Sequence, residues 1–433
     1  MRVPTLYGPR AQGAPRMLAA GPGLIGNPID NQPHRRDTAS VIRRNLEPHL
    51  RGLARKFPVV TLTGPRQSGK TTLCRAAFPD LPYASLEAPD VREYATRDPR
   101  GFLADHRQGA ILDEVQRTPD LLSYIQGEVD ARPRPGRFVL SGSANLSLLG
   151  AVSQSLAGRT ALLTLLPLSL DEVRRFAGAP TDLLTTLWTG GYPAILDRRV
   201  DPPDWLSAYV GTYVERDVRQ LLNVESLTTF QTFLRLCAGR SAQLLNLSAL
   251  GADCGVTHGT ARAWISVLEA SYVAFRLPPF HTSATTRLVK TPKLHLYDSG
   301  MLCHLLGIRS PAQLREHPLR GAVFESWVVS EILKARVHRG LPPALSFFRD
   351  RKGAEVDVIV ETAEGLVAVE TKSAQTVAED FFAGLGAFGR LHGSSRRRRS
   401  LEKVVVYGGA ERQGRSEATV LPWAAVPGYR WGA

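Results

Sequence analysis

The segment Gly64-Pro65-Arg66-Gln67-Ser68-Gly69-Lys70-Thr71 constrains this chain more than any other, because it fits the G-x-x-x-x-G-K-[ST] phosphate-loop pattern. Val59-Val60-Thr61-Leu62 reads as a buried strand entering the loop, and the run from Thr71 to Ala77 reads as the helix leaving it. Glycines let the backbone wrap so that successive N–H groups and a helix N-terminus face a polyphosphate. Gly64, Pro65, Arg66, Gln67, Ser68, Gly69, Lys70, Thr71 and Thr72 are therefore the candidate nucleotide-binding residues. Lys70 is expected to reach the β- and γ-phosphates as a point charge, and the Thr71 hydroxyl to ligate Mg²⁺.

Hydrolysis needs a second cluster, and Ala110-Ile111-Leu112-Asp113-Glu114 supplies one as an apolar strand ending in two carboxylates. Asp113 is expected to hold Mg²⁺ through its water shell, and Glu114 to orient and deprotonate the attacking water. A third strand runs from Arg137 to Asn145 and passes from apolar into small polar residues. If it lies between the other two, Ser143 or Asn145 stands near the γ-phosphate as a polar sensor. ATP and Mg²⁺ are the cofactors this set implies.

A chain of 433 residues exceeds one ordinary core, and its 43% hydrophobic and 22% charged content is that of a globular protein. No apolar stretch is long enough to span a bilayer, so no membrane insertion is expected. Residues 1–40 are rich in Pro, Gly and Arg without an apolar signal region; they read as a disordered extension, with Met17 as an alternative start. Cys74, Cys237, Cys254 and Cys303 are scattered without zinc-site spacing, which fits a reducing cytoplasm. The net charge of +14 favours phosphate-bearing partners, nucleic acid among them, through long-range attraction.

The ordered set GPRQSGKTTL, ILDEVQR, VLSGSANLSLL and SLAGRTALLTLLPLS resembles the prokaryotic AAA+ ATPases that carry a C-terminal domain of unknown function. The resemblance runs from about Ile42 to the neighbourhood of Tyr407. It implies an α/β fold: a P-loop AAA+ core with an additional strand, then a small helical lid. It also makes Arg159 a candidate arginine finger acting from a neighbouring subunit or domain, the former implying a homo-oligomer.

Ser169-Leu170-Asp171-Glu172 has the form of a helix start, and a helical region follows to about Asn223. It includes Trp188 to Pro193 and the charged run Glu215-Arg216-Asp217, read as a solvated helix face. The stretch from Leu247 to Trp264 looks like a helix-turn-helix, followed by a wing strand from Tyr272 to Leu277. Its second helix presents Thr257, His258, Thr260 and Arg262 near the end that meets base edges in DNA readers. In this type of ATPase such winged-helix segments also serve as spacers.

In the last third, an amphipathic helix around Phe324 to Leu333 precedes three strands over Leu345 to Arg349, Glu355 to Val360 and Leu366 to Lys372. The arrangement resembles the PD-(D/E)xK fold of restriction-endonuclease-like domains, with Glu325 on the helix, Asp357 on the second strand, and Glu370 and Lys372 on the third. The resemblance implies Mg²⁺ at Asp357 and Glu370, with Glu325 as a further ligand and Lys372 as the catalytic cation. An inactive domain, with Lys372 neutralising the acids, is the alternative. The run Arg396 to Arg399 reads as an exposed loop.

The organisation expected is thus an extension over 1–40, an ATPase core over 41–168, a lid over 169–225, a winged-helix segment over 226–285 and a nuclease-like domain over 286–433. The function expected is an ATPase acting with DNA or a protein partner. The alternatives are a nucleotide-regulated binding module and an ATP-gated nuclease.

Overall fold

The computed structural model describes residues 41–143, 150, 152, 154–213, 226–280, 291–350, 353–393 and 400–432. Five apolar runs become strands β1 (Val59–Thr63), β2 (Tyr83–Ser85), β3 (Ala110–Asp113), β4 (Phe138–Ser141) and β5 (Thr160–Thr164). They form one parallel sheet in the order β2-β3-β4-β1-β5. The near-continuous hydrophobic strands β1, β3 and β4 are buried throughout, as suits the centre of a sheet covered on both faces. Val59, Leu112 and Leu140 pack on one side with Ile125, while Val60, Ile111 and Val139 pack on the other with Leu73 of the helix Lys70–Ala77. With β4 between β1 and β3, the loops that follow all three meet at the carboxyl edge, where parallel sheets bind ligands.

The middle of the chain folds as helices Leu227–Gly239, Leu247–Cys254 and His258–Ala270 with a small antiparallel sheet. Ser226, Asn246 and Thr257 each cap a helix by accepting from a backbone N–H three residues on. Gly255, at φ 68°, takes the left-handed conformation that ends the second helix. The sheet comprises β6 (Gln243–Leu244), β7 (Ala274–Leu277) and β8 (Lys293–Leu296) in the order β6-β8-β7. The expected boundary at 285/286 separates β8 from this sheet, yet β8 pairs with both β6 and β7.

The last sheet holds β9 (Leu345–Arg349), β10 (Glu355–Glu361), β11 (Gly365–Lys372), β12 (Ser400–Tyr407), β13 (Gln413–Gly414) and β14 (Thr419–Pro422). Its order is β13-β14-β12-β11-β10-β9, antiparallel from β9 to β11 and parallel from β11 through β12 to β14. A register shift between Val356 and Ile359 marks a bulge at Asp357. Such bulges re-aim side chains, and here Val356 and Val358 face opposite cores.

The helix Arg320–Val337 lies against one face of this sheet. Twelve of its 18 residues are buried, so the amphipathic pattern expected of it gives way to burial on nearly every side. One hydrophobic cluster joins its Phe324, Val328 and Ile332 to Phe233 and Trp264 of the middle helices, and to Leu187 and Tyr192 of the region after the five-stranded parallel sheet. These parts share a core.

Polar contacts bind the same helix to the end of β5. Leu166 N–H donates to His338 Nε2 at 3.3 Å, Lys334 Nζ donates to Leu168 O at 3.0 Å, and Leu170 N–H donates to Glu331 Oε2 at 2.8 Å. Glu172 lies 3.9 Å from His338 Nδ1 and closes a capping box with Ser169. Arg44 Nε donates to Glu172 Oε1 at 2.9 Å, while its two other nitrogens donate to Ser68 O and Leu166 O.

Burial pushes the His338 imidazole down to about 4 from 6.5. Burial alone would raise the Glu172 carboxyl, but Arg44, His338 and hydrogen bonds hold it at about 2. Both groups bind fewer protons folded than unfolded, so each loses its contribution as pH falls through its window. For His338 that window lies below 6.5, and for Glu172 below 4.5. The thermal unfolding midpoint should therefore decline with acidification from pH 6.5, and His338→Gln, which keeps an acceptor for Leu166, should flatten the upper part of that decline. A parent-like slope in the variant would refute the buried neutral imidazole.

Candidate functional site

β1 runs into the phosphate loop under tight steric control. Gly64 has φ 145°, and a Cβ there would sit 2.2 Å from Leu165 O. Gln67, at φ 61°, and Gly69, at φ 90°, complete the turn before the helix Lys70–Ala77. Lys70 is 6% exposed and its Nζ donates to Gly64 O at 3.0 Å and Pro65 O at 2.7 Å. Burial lowers its ammonium to about 8, with Glu114 and Asp113 opposing the shift. Ser68 is fully buried with no partner for its hydroxyl among the described residues. Arg66 O accepts from Tyr209 OH at 3.4 Å, and Thr72 lies on the exposed side of its helix.

Thr71 Oγ1 donates to Asp113 Oδ2 at 2.7 Å, which brings together the two oxygens expected at Mg²⁺. They fit it: the ion prefers oxygen, keeps several waters, and takes one or two protein ligands beside phosphate. Two residues that sequence reasoning missed fix the carboxylate. Tyr83 OH donates to Oδ2 at 2.9 Å and Ser141 Oγ to Oδ1 at 2.5 Å. Sheet register brings them there, since Ser141 is the β4 neighbour of Asp113 and Tyr83 opens β2.

Glu114 adopts a left-handed backbone at φ 57°, which turns it out of the strand. Its Oε2 accepts from Ser143 Oγ at 3.3 Å and from Gln116 Nε2, which also donates to Ser143 at 2.9 Å. Of the two sensor candidates, Ser143 thus stands beside the expected base, and Asn145 lies outside the described residues. Gln116 was missed. Its only sequence signal was a polar position two residues beyond the acidic pair.

Arg159 sits at the other end of the sheet. Val59, the first residue of β1, pairs with Thr160, whereas Thr63 next to the loop pairs with Thr164. Its guanidinium makes a bidentate pair with Asp130 at 2.6 and 2.8 Å. Within one chain it therefore cannot serve the loop of its own sheet, and the in-chain finger gives way to an ion pair. The runs Glu215 to Asp217 and Arg396 to Arg399 lie outside the described residues.

In the C-terminal domain, Lys372 Nζ donates to Glu370 Oε1 at 2.7 Å. Asp357 Oδ2 accepts from both N–H and Oγ1 of Thr371, each at 2.8 Å. Lys293 of β8, missed in the sequence, lies 2.7 Å from Glu325 Oε1, 2.5 Å from Glu355 Oε1 and 3.7 Å from Asp357 Oδ1. Among the described residues no three His, Cys, Asp or Glu side chains are arranged to hold a metal ion. Of the acids expected at a metal, Glu325 and Asp357 thus have the Lys293 ammonium beside them, and Glu370 pairs with Lys372. Burial and the neighbouring Asp357 raise the Glu325 carboxyl well above its usual range, and the same two causes push Glu370 up to about 8.

Comparison with known proteins divides the chain in three. Residues 56–174 match a AAA domain, 180–312 a domain of unknown function (DUF8612), and 320–426 a domain of unknown function (DUF4143). Uncharacterized protein Rv2008c of Mycobacterium tuberculosis is 32% identical over 360 residues, covering 82% of this chain and 79% of its own. Uncharacterized protein Mb2031c of Mycobacterium bovis matches to the same extent, 32% over 360 residues. Among solved structures, the Walker-type ATPase of Pyrococcus abyssi aligns with TM-score 0.43 and 14% identity over 62% of this chain and 97% of that one. AMPPCP-bound DnaA from Aquifex aeolicus aligns with TM-score 0.28 and 15% identity over 52% and 85%.

Phosphate brought against Lys70 restores the charge that burial withholds. ATP binding near pH 8 should then take up a proton, seen by calorimetry as a heat that varies with buffer ionisation enthalpy. Lys70→Ala should abolish that variation and weaken binding roughly tenfold or more. Unchanged affinity would sink the phosphate-loop assignment.

Proposed function

The chain carries a AAA domain over residues 56–174 and belongs to one family with Rv2008c of Mycobacterium tuberculosis, and from that premise we propose a Mg²⁺-dependent ATPase whose cycle acts on a DNA or protein partner. The observation that carries this reading is the 2.7 Å contact of the Thr71 hydroxyl with the Asp113 carboxylate, with Glu114 next in sequence. Lys70 exchanges its loop carbonyls for phosphate oxygens, and the loop N–H groups hold the remaining charge. Thr71 and, through water, Asp113 would hold Mg²⁺, which would supply neutralising charge to the phosphates. Glu114 takes the proton of the attacking water, and Ser143 and Gln116 hold its carboxylate in line for that step.

Glu114→Gln preserves shape and removes the base. ATP should bind with near-parent affinity while phosphate release falls by about a hundredfold or more. Turnover at the parent rate would refute the assigned role.

A DNA partner is supported by the helix His258–Ala270, whose His258 and Arg262 are exposed near its N-terminus, and by the net charge of +14. We read the three helices and the β6-β8-β7 sheet as a winged helix. Arg262→Ala should weaken duplex binding and reduce its dependence on salt by about one phosphate contact. Identical salt slopes for parent and variant would make this helix a spacer and favour a protein partner. No helix among the described residues is long and apolar enough to cross a membrane, and the four cysteines are free, which supports a cytoplasmic setting.

A further inference from the structure

The C-terminal acids invite a metal, and the fold supplies a cation of another kind. Lys293 is 2% exposed, and its position is built in. It opens β8, paired with Leu244 of β6 and Leu277 of β7, and its ammonium lies 5.6 Å from the centre of the Phe347 ring. Phe347 is bridged in turn to Pro279, and Phe280 N–H donates to Phe347 O at 2.6 Å. The end of β7 and the start of β8 are thus both fastened to the C-terminal sheet.

We propose that Lys293 is the resident cation of this nuclease-like cluster: its ammonium stands among Glu325, Glu355 and Asp357 in place of a divalent metal, and latches the middle sheet to the C-terminal domain. The inference rests on reading the domain as nuclease-like and is independent of the ATPase reading. Carboxylate oxygens ligate Mg²⁺ at about 2.0–2.1 Å, closer than they approach an ammonium nitrogen, and demand near-octahedral geometry. A metal at Asp357 would have to displace Lys293 or share its carboxylates with a positive charge a few ångströms away. The acids already have cations in contact. Glu325, Glu355 and Asp357 face Lys293, Glu370 faces Lys372, and Arg349 lies 3.6 Å from Glu355. Asp357 Oδ2 is further occupied by two hydrogen bonds from Thr371.

The prediction is a metal site gained on removing the lysine. Mn²⁺ binding to the full nucleotide-free chain is measured by calorimetry and by the unfolding midpoint, for the parent, Lys293→Met, Asp357→Asn and the double variant. Subtracting Asp357→Asn removes any Mn²⁺ bound at the phosphate loop. The parent should show no Asp357-dependent binding. Lys293→Met should gain one equivalent of Mn²⁺ and a raised midpoint, and the double variant should lose both. Lys293→Gln, which keeps a hydrogen-bond donor for Glu325, replaces the methionine variant if that does not fold. Asp357-dependent Mn²⁺ binding in the parent would overturn the proposal and restore the metal site. No gain in either folded lysine variant would overturn it as well, and would also count against the nuclease-like reading.

Discussion

The structure depends on one buried guanidinium. Arg44 comes from the segment before the ATPase sheet, and its three nitrogens reach the phosphate loop at Ser68 O, the end of β5 at Leu166 O, and Glu172 beyond it. Buried charge is tolerable only when paired and hydrogen-bonded, and each of the three Arg44 nitrogens has an acceptor. Glu172 extends the contact, since its other oxygen accepts from Ser169 N–H and faces His338. Ser68, Arg44, Glu172 and His338 thus form a continuous run of polar contacts from the phosphate loop to the end of the helix Arg320–Val337. The segment Leu166 to Glu172 is gripped from both sides, by Arg44 and by Glu331, Lys334 and His338. It lies between the nucleotide site and the C-terminal half and touches both.

The parts most legible in the sequence were those in which local pattern and chemistry coincide. The phosphate loop follows from glycine spacing between a strand and a helix, and the placement of Asp113 from an apolar run ending in acids. The sequence leaves the place of the third strand as a condition, and the sheet order meets it, with β4 between β1 and β3. Partners set by sheet register were not legible. Tyr83 and Ser141 meet Asp113 only because β2, β3 and β4 lie side by side, and nothing in their local sequence marks them. Arg44 was hidden for the same reason, its partners lying 24 to 128 residues away.

Domain boundaries failed where burial contradicts the usual reading of alternation. Lys293-Leu294-His295-Leu296 alternates polar and apolar, a pattern that normally places the polar face in water. Here both faces are buried: Leu294 and Leu296 enter the shared core, while Lys293 meets the acids and His295 lies 3.1 Å from Ser326 Oγ. The strand therefore belongs to two bodies at once, by backbone to the middle sheet and by side chain to the C-terminal domain. A boundary drawn just before it, at 285/286, cuts the small sheet and the shared core.

Lys70 and Lys293 are both nearly buried ammonium groups, and their partners give them opposite uses. Lys70 is held by two backbone carbonyls, which are neutral acceptors and do not repay the loss of hydration, so burial pulls its pKa to about 8. Phosphate oxygens offer that ammonium more than carbonyls do, and the group is free to exchange one for the other. Lys293 is held by carboxylates; burial again opposes its charge, but Glu325, Asp357 and Glu355 outweigh it and raise its pKa. Little that a ligand brings can improve on full counter-charges already in contact. The same side chain is thus a receptor in one domain and a lock in the other, and the charge of its acceptors decides which.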